Sequence, residues 1–421
     1  MELKPGYKQS ELGIIPEDWE CKRLESLGRR GRPAIKAGPF GSSLTKATYV
    51  AEGYKVYGQE QVIRGDYLYG DYFISKFRYE ELKSCAVQPG DVLLSLVGTS
   101  GRVLVIPPEA PEGIINPRLM RFSFDPNVIS SDFFKLVFES EIYQSLLSRS
   151  AQGGTMGVLN AGLLKPIAIP LPSLHEQRVI ATGLSDINAL LAAQDQLIAK
   201  KRDIKQAVMQ RLLTGKQRLP GFSGEWETKR LGDVGSFSKG KGLAKESINL
   251  TGTMPAIPYT AIYTDFDEVV RYSEIRQYTN PSYEQSPVKG PVLLIASSSN
   301  MLENIGKATA YVDNLDVAVG GDIILYKSLL DVRFLAYLLS TRPHRANIRL
   351  LSQGSTIRHV YSSTFSSYKL ALPPLDEQAA IAAVLSDMDA EIDALQQRRD
   401  KTQMLKQGMM QELLTGRTRL V

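Results

Sequence analysis

The chain contains one unit written twice. At a fixed offset of 201 residues and without a gap, Leu171–Leu219 matches Leu372–Leu420 at 24 of 49 positions. "LPSLHEQRVIATGLSDINAL" is answered by "LPPLDEQAAIAAVLSDMDAE", and "KQAVMQRLLTGKQRL" by "KQGMMQELLTGRTRL". The same offset pairs "QGGT" (Gln152–Thr155) with "QGST" (Gln353–Thr356); at offset 207, "WECKRL" from Trp19 pairs more weakly with "WETKRL" from Trp226. A fold that accommodates this consists of two like halves, each a variable stretch followed by a constant one. At 421 residues the chain also exceeds the ~250–300 residues at which a single core stops growing.

Each constant stretch reads as a long helix. Pro172 and Pro373 stand just ahead of it, and Glu176, Asp376 and Glu377 occupy a first turn, where the helix dipole favours acids. Apolar residues then recur at spacings of three and four: Ile180, Leu184, Ile187, Leu191, Ile198, Ile204, Val208 and Leu212 in the first copy; Ile381, Leu385, Met388, Ile392, Leu395, Leu405, Met409 and Leu413 in the second. Gly215 and Gly416 fall where a C-cap glycine belongs. From about 175 to 213 such a helix spans roughly 55–60 Å at 1.5 Å per residue. One apolar stripe that long needs a partner, and the other copy is the economical one, giving an antiparallel coiled coil. Gln194, Lys201 and Lys205 interrupt the seam, so irregular packing is expected.

The variable regions share an order of elements. Apolar, β-rich runs ("DVLLSLVG", "RVLVIP", "LMRFSF"; "PVLLIASS", "KATAYV", "DIILYKS") precede a helical run, the Gln-Gly turn and a closing strand ending in "IPLP" or "LALPP". The expected class is α+β: a first head over 1–168, a constant helix over 169–219, a second head over 220–370 and a second constant helix over 371–421. The scaffold repeats while most surface letters differ.

Composition is that of an ordinary globular protein, 43% apolar and 23% charged. Two cysteines, Cys21 and Cys85, give no disulfide framework or metal spacing, and neither a signal pattern nor a membrane-length apolar run is present; a cytoplasmic location is expected. Net charge is only +5, but the cations are clustered. Leu27–Ala51 holds Arg29, Arg30, Arg32, Lys36 and Lys46 with no acid, and Val332–Leu375 holds six cations with none. Such clusters make a local positive field that a DNA duplex can use. Two unequal heads on a rigid spacer suit a split, asymmetric DNA site, the spacer fixing the separation of the halves.

"LPSLHEQ" and "LPPLDEQ" leading into the helices, the "LLTG" exits, the "QG-S/T" turns, and the "GIIPEDW" and "GFSGEW" stretches together resemble specificity subunits of type I restriction–modification enzymes. The resemblance covers essentially the whole chain. It implies a non-catalytic subunit that recognises a bipartite DNA sequence, one half per head. It also implies two methyltransferase partners, which transfer a methyl group from S-adenosylmethionine to adenine N6, and two restriction subunits that translocate DNA with ATP and cleave it. S-adenosylmethionine, ATP and Mg²⁺ are then expected only in those partners. Two alternatives stay open at this point: a coiled-coil adaptor that never meets DNA, and the specificity subunit of a related fused methyltransferase–nuclease system.

Motifs that look catalytic are incomplete. "GSFSKGKG" (235–242) begins like a phosphate-binding loop but places Gly242 where Ser or Thr should hold Mg²⁺. "NPRL" at Asn116 and "NPSY" at Asn280 lack the second proline of an adenine methyltransferase motif. His175, His344 and His359 do not cluster with other ligands, so neither a catalytic nor a metal set is expected, and His175, at a helix start, should be solvated. Donors on exposed loops are the candidates for phosphate and base-edge contacts. In the first head they are Arg29, Arg30, Arg32, Lys36, Ser42, Ser43 and Lys46 of "GRRGRPAIKAGPFGSSLTK", with Gln152 and Thr155. In the second they are Lys239, Lys241, Lys245, Ser299, Asn300, Arg345, Arg349, Gln353, Ser355, Thr356, Arg358 and His359. The tyrosine-rich Tyr67–Tyr79 stretch is expected to pack its aromatics rather than reach bases.

Overall fold

The computed structural model describes residues 5–96, 101–152, 159–281 and 286–420. It divides into two units, Met1–Gln194 with Arg398–Val421, and Asp195–Gln397. Each holds one head and half of each long helix.

In unit 1 a four-stranded antiparallel sheet runs in the order Val103–Val105, Val92–Ser95, Leu119–Phe122, Ile35–Ala37. A mixed five-stranded sheet runs Tyr49–Val50, Phe73–Ile74, Tyr54–Tyr57, Gly113–Ile115, Ala86–Val87. The helix Ser131–Glu139 buries Phe134 and Phe138 against Phe122 and Phe124, with ring centroids 4.6–5.8 Å apart. In unit 2 the main sheet is ordered Gly235–Lys239, Ile323–Ser328, Val292–Ala296, Ala308–Tyr311, Val269–Val270, and a second has Met254–Ile257 between Tyr278–Thr279 and Ala318–Val319. The expected strands and their order are present. Within the tyrosine-rich stretch, Tyr79 stacks on Tyr54 at 3.9 Å, while Tyr72 is exposed.

The two helical runs break at the same place. Ser131–Glu139 gives way to Glu141–Gln152 at Ser140, and Val332–Ser340 to Arg342–Leu351 at Thr341. Both break residues are extended, and both return a hydroxyl to a carbonyl three residues back, Ser140 to Val137 at 2.7 Å and Thr341 to Leu338 at 2.8 Å. That bond competes with helix continuation, so one run becomes two helices. The ends of each variable region also meet: Glu20–Arg23 pairs antiparallel with Ala168–Leu171, and Glu227–Arg230 with Lys369–Leu372.

The long helices are Leu174–Leu212 and Leu375–Leu413, 39 residues each. Gly416 has φ +69°, its N–H donates to Leu413 O and that of Arg417 to Glu412 O, a Schellman stop that a Cβ would strain. Inside unit 1, Ile180 and Leu184 share a core with Leu413 and Leu414; inside unit 2, Leu212 and Leu213 share one with Ile381 and Leu385. In each unit the segments are therefore antiparallel. Leu191, Ile198 and Ile392 are also buried, and Ile187, Val208, Met388, Leu395 and Met409 are half-buried.

Two expected seam residues are not in the seam. Ile204 and Leu405, equivalent in the repeat, are exposed. At 100° per residue Ile204 lies about 120° from Ile198, whereas Lys205 and Met209 fall within about 20° of it. The inner position accordingly goes to half-buried Lys205 in one copy and Lys406 in the other, with Met209 buried a turn on. The polar interruptions are paired rather than empty: Gln194 donates to Thr402 at 3.3 Å, Lys201 meets Glu391 at 2.6 Å, and Lys205 meets Asp389 at 2.5 Å and Glu268 at 3.1 Å. No described helix is long and apolar enough to cross a membrane.

Candidate nucleic-acid interface

Each head presents its candidate loops from the same backbone frame. In the first, Gly38 N donates to Leu119 O (3.0 Å), Asn116 N to Tyr57 O (2.8 Å) and Leu119 N to Asn116 O (3.2 Å). In the second, Gly240 N donates to Ile323 O (3.0 Å), Gly320 N to Ile257 O (3.0 Å) and Ile323 N to Gly320 O (3.1 Å). These bonds make Gly38 equivalent to Gly240 and Asn116 to Gly320. Only glycine fits at the crossing: a Cβ on Gly38 would lie 1.9 Å from Asn116 O, and one on Gly240 2.2 Å from Gly320 O. Beyond it each chain loops out, as "PFGSSLTK" in one head and "KGLAKES" in the other.

The first loop divides the expected donors into two kinds. Arg30, Ser42 and Lys46 are exposed, and Lys36 and Ser43 half-buried. Arg29 and Arg32 are committed inward. Arg29 donates to Phe124 O at 2.7 Å and Pro89 O at 3.0 Å; Arg32 donates to Gln88 Oε1, to Ala86 O, and to Asp91 at 3.0 Å. Asp91 is fully buried beside Arg121, whose guanidinium burial and the neighbouring Arg32 push down to about 10. These two arginines brace the base of the loop. Thr155 and the side chain of Gln152 lie outside the described residues.

In the second head the structure gathers candidates that are far apart in sequence. Ser298–Ser299 pairs antiparallel with Arg358–His359, and Gln353 bridges His359 through two backbone bonds of 2.9 and 2.7 Å. The hairpin that results sets exposed Gln353, Ser355 and Thr356 beside exposed Asn300. Ser299 itself is buried, and its hydroxyl accepts Met301 N at 3.0 Å. Arg345 reaches the same loop through Glu303 O, and Arg358 donates to Ser352 O at 3.3 Å. Burial, then the charge of Arg349, lowers Arg345 to about 10. Arg345 Nη1 and Arg349 Nε are buried without a partner among the described residues. Among the described residues neither guanidinium forms an ion pair, so the partly exposed remainder of each side chain suits a phosphate. Lys241 and Lys245 are exposed on the other loop, and Lys239 is exposed at the end of the strand that leads into it.

Aromatics connect the two loops of this head, and reading donors alone missed them. Tyr259, whose backbone abuts Gly320, meets Tyr263 at a centroid distance of 5.9 Å; Tyr263 Oη donates to Ser298 O at 2.9 Å; Tyr361, 44% exposed, stacks on His359. The incomplete motifs also find places. "GSFSK" is the sheet's end strand, and Asn116 of "NPRL" forms the floor under Gly38 and Gly58; part of "NPSY" lies outside the described residues. His175 is exposed. Among the described residues no three His, Cys, Asp or Glu side chains stand close enough to hold a metal.

Known proteins share the architecture that carries these loops. The family model "Type I restriction modification DNA specificity domain" matches twice, over residues 16–200 and 223–403. The chain is 24% identical to the type I restriction enzyme MjaVIII specificity subunit of Methanocaldococcus jannaschii over 428 residues, covering 98% of this chain and 96% of that one. It is 22% identical over 283 residues to the StySPI specificity subunit of Salmonella potsdam, covering 64% and 61%. Among solved structures, the HsdS subunit from Thermoanaerobacter tengcongensis superposes with a TM-score of 0.51 at 18% identity (96% and 98% covered). The type I S subunit from M. genitalium superposes with 0.55 at 14% (98% and 99%).

Proposed function

The chain belongs to the type I restriction modification DNA specificity family, and from that premise we propose that it is a non-catalytic specificity subunit that reads a bipartite, asymmetric DNA target, one half-site per head. The observation that carries this reading is the shared frame of Gly38–Leu119 and Gly240–Ile323, which presents loops of different sequence from like scaffolds. Like scaffolds suit a common duplex geometry, and unlike loops suit unlike base sequences.

The long helices act as the spacer and as the scaffold for two adenine-N6 methyltransferase subunits and two restriction subunits. Leu190, Leu197 and Ile204 support a docking role: they recur every seven residues on one helix, and all three are exposed. S-adenosylmethionine, ATP and Mg²⁺ belong to the partners. A solved structure described as the basis of complex assembly in a type I R-M system superposes on 96% of this chain with a TM-score of 0.53, which supports the scaffold.

The test is a single-molecule map of N6-methyladenine in cells carrying this chain and its neighbouring methyltransferase, against cells lacking only this chain. A split, asymmetric motif that vanishes with the deletion is expected. An unchanged methylome with an active methyltransferase would reject the reading.

A further inference from the structure

Phe40 stands in water. It is 87% exposed at the tip of the first-head loop, between Pro39 and Gly41, and a Cβ on Gly41 would touch nothing within 4 Å. The loop is not loose at its root: Gly38 is locked onto Asn116, and Leu44 beyond the tip is buried. An aromatic ring held out on an anchored stalk, with no protein surface to cover it, is built to meet something flat.

The surroundings say what. Leu27–Ala51 contains no acid; exposed Ser42 and Lys46 lie on the same loop, and half-buried Lys36 on the strand that leads into it. Other strongly exposed large side chains sit differently. Leu350, 82% exposed, also lies in an acid-free stretch, but like Leu329 it is aliphatic and offers no ring to stack. Phe77 is 75% exposed on the helix Lys76–Glu81, where Glu80 and Glu81 are neutralised by Lys83 and Arg78. An exposed ring and an acid-free, cationic loop coincide at Phe40.

We propose that Phe40 is a stacking wedge. On this reading, which rests on the chain being a DNA specificity subunit, its ring inserts at a base step of the half-site read by the first head and stacks on an unstacked base. Apolar wedges of this kind open a step and kink the duplex, and ring–base stacking tolerates any base. The second head has no counterpart, because the equivalent position, two residues beyond Gly240, is Gly242. The distortion that depends on Phe40 therefore belongs to one half-site only, and it charges that half-site with a preference for a deformable step.

The experiment uses the full chain with its methyltransferase subunits and a duplex carrying the mapped target. 2-Aminopurine is placed in turn at positions of both half-sites other than the methylated adenines. In the wild-type complex at least one probe in one half-site should brighten on binding. Phe40→Ala should return that probe to its free-duplex level, leave every probe in the other half-site unchanged, and weaken specific binding about 5- to 100-fold. Phe40→Trp should retain the signal. Because no charge is altered, the salt dependence of binding should be the same in all three. Tight binding by Phe40→Ala with the probe still bright overturns the wedge, as does a wild-type complex that binds specifically with every probe dark. A wild-type complex that cannot distinguish the target from a scrambled duplex overturns the specificity reading and the wedge with it.

Discussion

Arg419 closes on Glu176 across 243 positions of chain, its Nε and Nη2 donating to the two carboxylate oxygens. The carboxylate is buried and also accepts Trp19 Nε1 at 3.1 Å, while the same guanidinium reaches Asp18 at 2.9 Å. Arg218 and Glu377 repeat the pair in unit 2, with an Nη2–Oε2 distance of 2.5 Å. Both arginines come from the repeated "LLTG" exits and both glutamates from the repeated "EQ" starts. The exit of each constant stretch thus clasps the start of the other, which is a physical reason for the chain to carry the same letters twice.

Removing Arg419 should expose how much that clasp holds. Arg419→Ala leaves a buried carboxylate with Trp19 as its remaining partner, and breaking a buried pair costs about 3–5 kcal/mol. Denaturant unfolding should show a loss of roughly that size, and Glu176→Gln in the same background should recover part of it. A loss under about 1 kcal/mol, the range of exposed pairs, would mean that the clasp is decoration.

The polar residues of the helix seam should differ sharply in cost. Lys205→Met removes the cation from Asp389 and Glu268 in a mostly buried site and leaves Asp389 with the Tyr337 hydroxyl at 2.6 Å, so a loss of about 3 kcal/mol is expected. Lys201→Met breaks a more exposed pair with Glu391 and should cost under about 1 kcal/mol. Equal thermal shifts for the two variants would count against the assignment of Lys205 to the inner position.

Much of this architecture was legible in the letters. The repeat, the two long helices, the order of strands and the exits that meet the opposite starts all follow from periodicity and caps. At Ile204 and Leu405 hydrophobicity and helical phase point to different faces, and a lysine with carboxylate partners holds the inner position beside Ile204. Arg29 and Arg32 show a second limit: an acid-free stretch reads as free cations, yet Asp91, some sixty residues on, folds in beneath them. Glu176 read as a dipole-favoured first-turn acid, and nothing local signals its burial. Tyr259, Tyr263 and Tyr361 connect two loops that only the sheet brings together.

The exposed heptad stripe makes a separable prediction. Leu190→Gln, Leu197→Gln and Ile204→Gln should each change the stability of the free chain by no more than about 0.5 kcal/mol, as exposed substitutions do. Combined, they should weaken co-purification with the methyltransferase subunits. Unaltered assembly by the triple variant would place the docking surface elsewhere.

His344 gives the second head an acid-sensitive point. Burial lowers its pKa, and its Nδ1 stands 3.0 Å from Tyr368 Oη. The unfolded chain therefore binds this proton more readily than the folded one, so stability is full above the unfolded value of about 6.5 and falls as pH drops below it. Thermal midpoints of the wild type should decline from pH 7 to 5, and His344→Gln, which cannot take the proton, should flatten that part of the profile. A parallel decline in both would assign the acid limb to other groups.

Cations of the two kinds should be separable by salt. Lys241→Gln on the exposed loop should leave stability unchanged, weaken binding across target and non-target duplexes alike, and reduce the slope of log K against log salt by about one. Arg32→Gln should do the reverse. It removes a charge from the buried Asp91, so the head is destabilised by about 2–4 kcal/mol, while the salt slope of the protein that remains folded stays as it was. A full unit of slope lost in Arg32→Gln would mean that the guanidinium leaves Asp91 for a phosphate when DNA arrives.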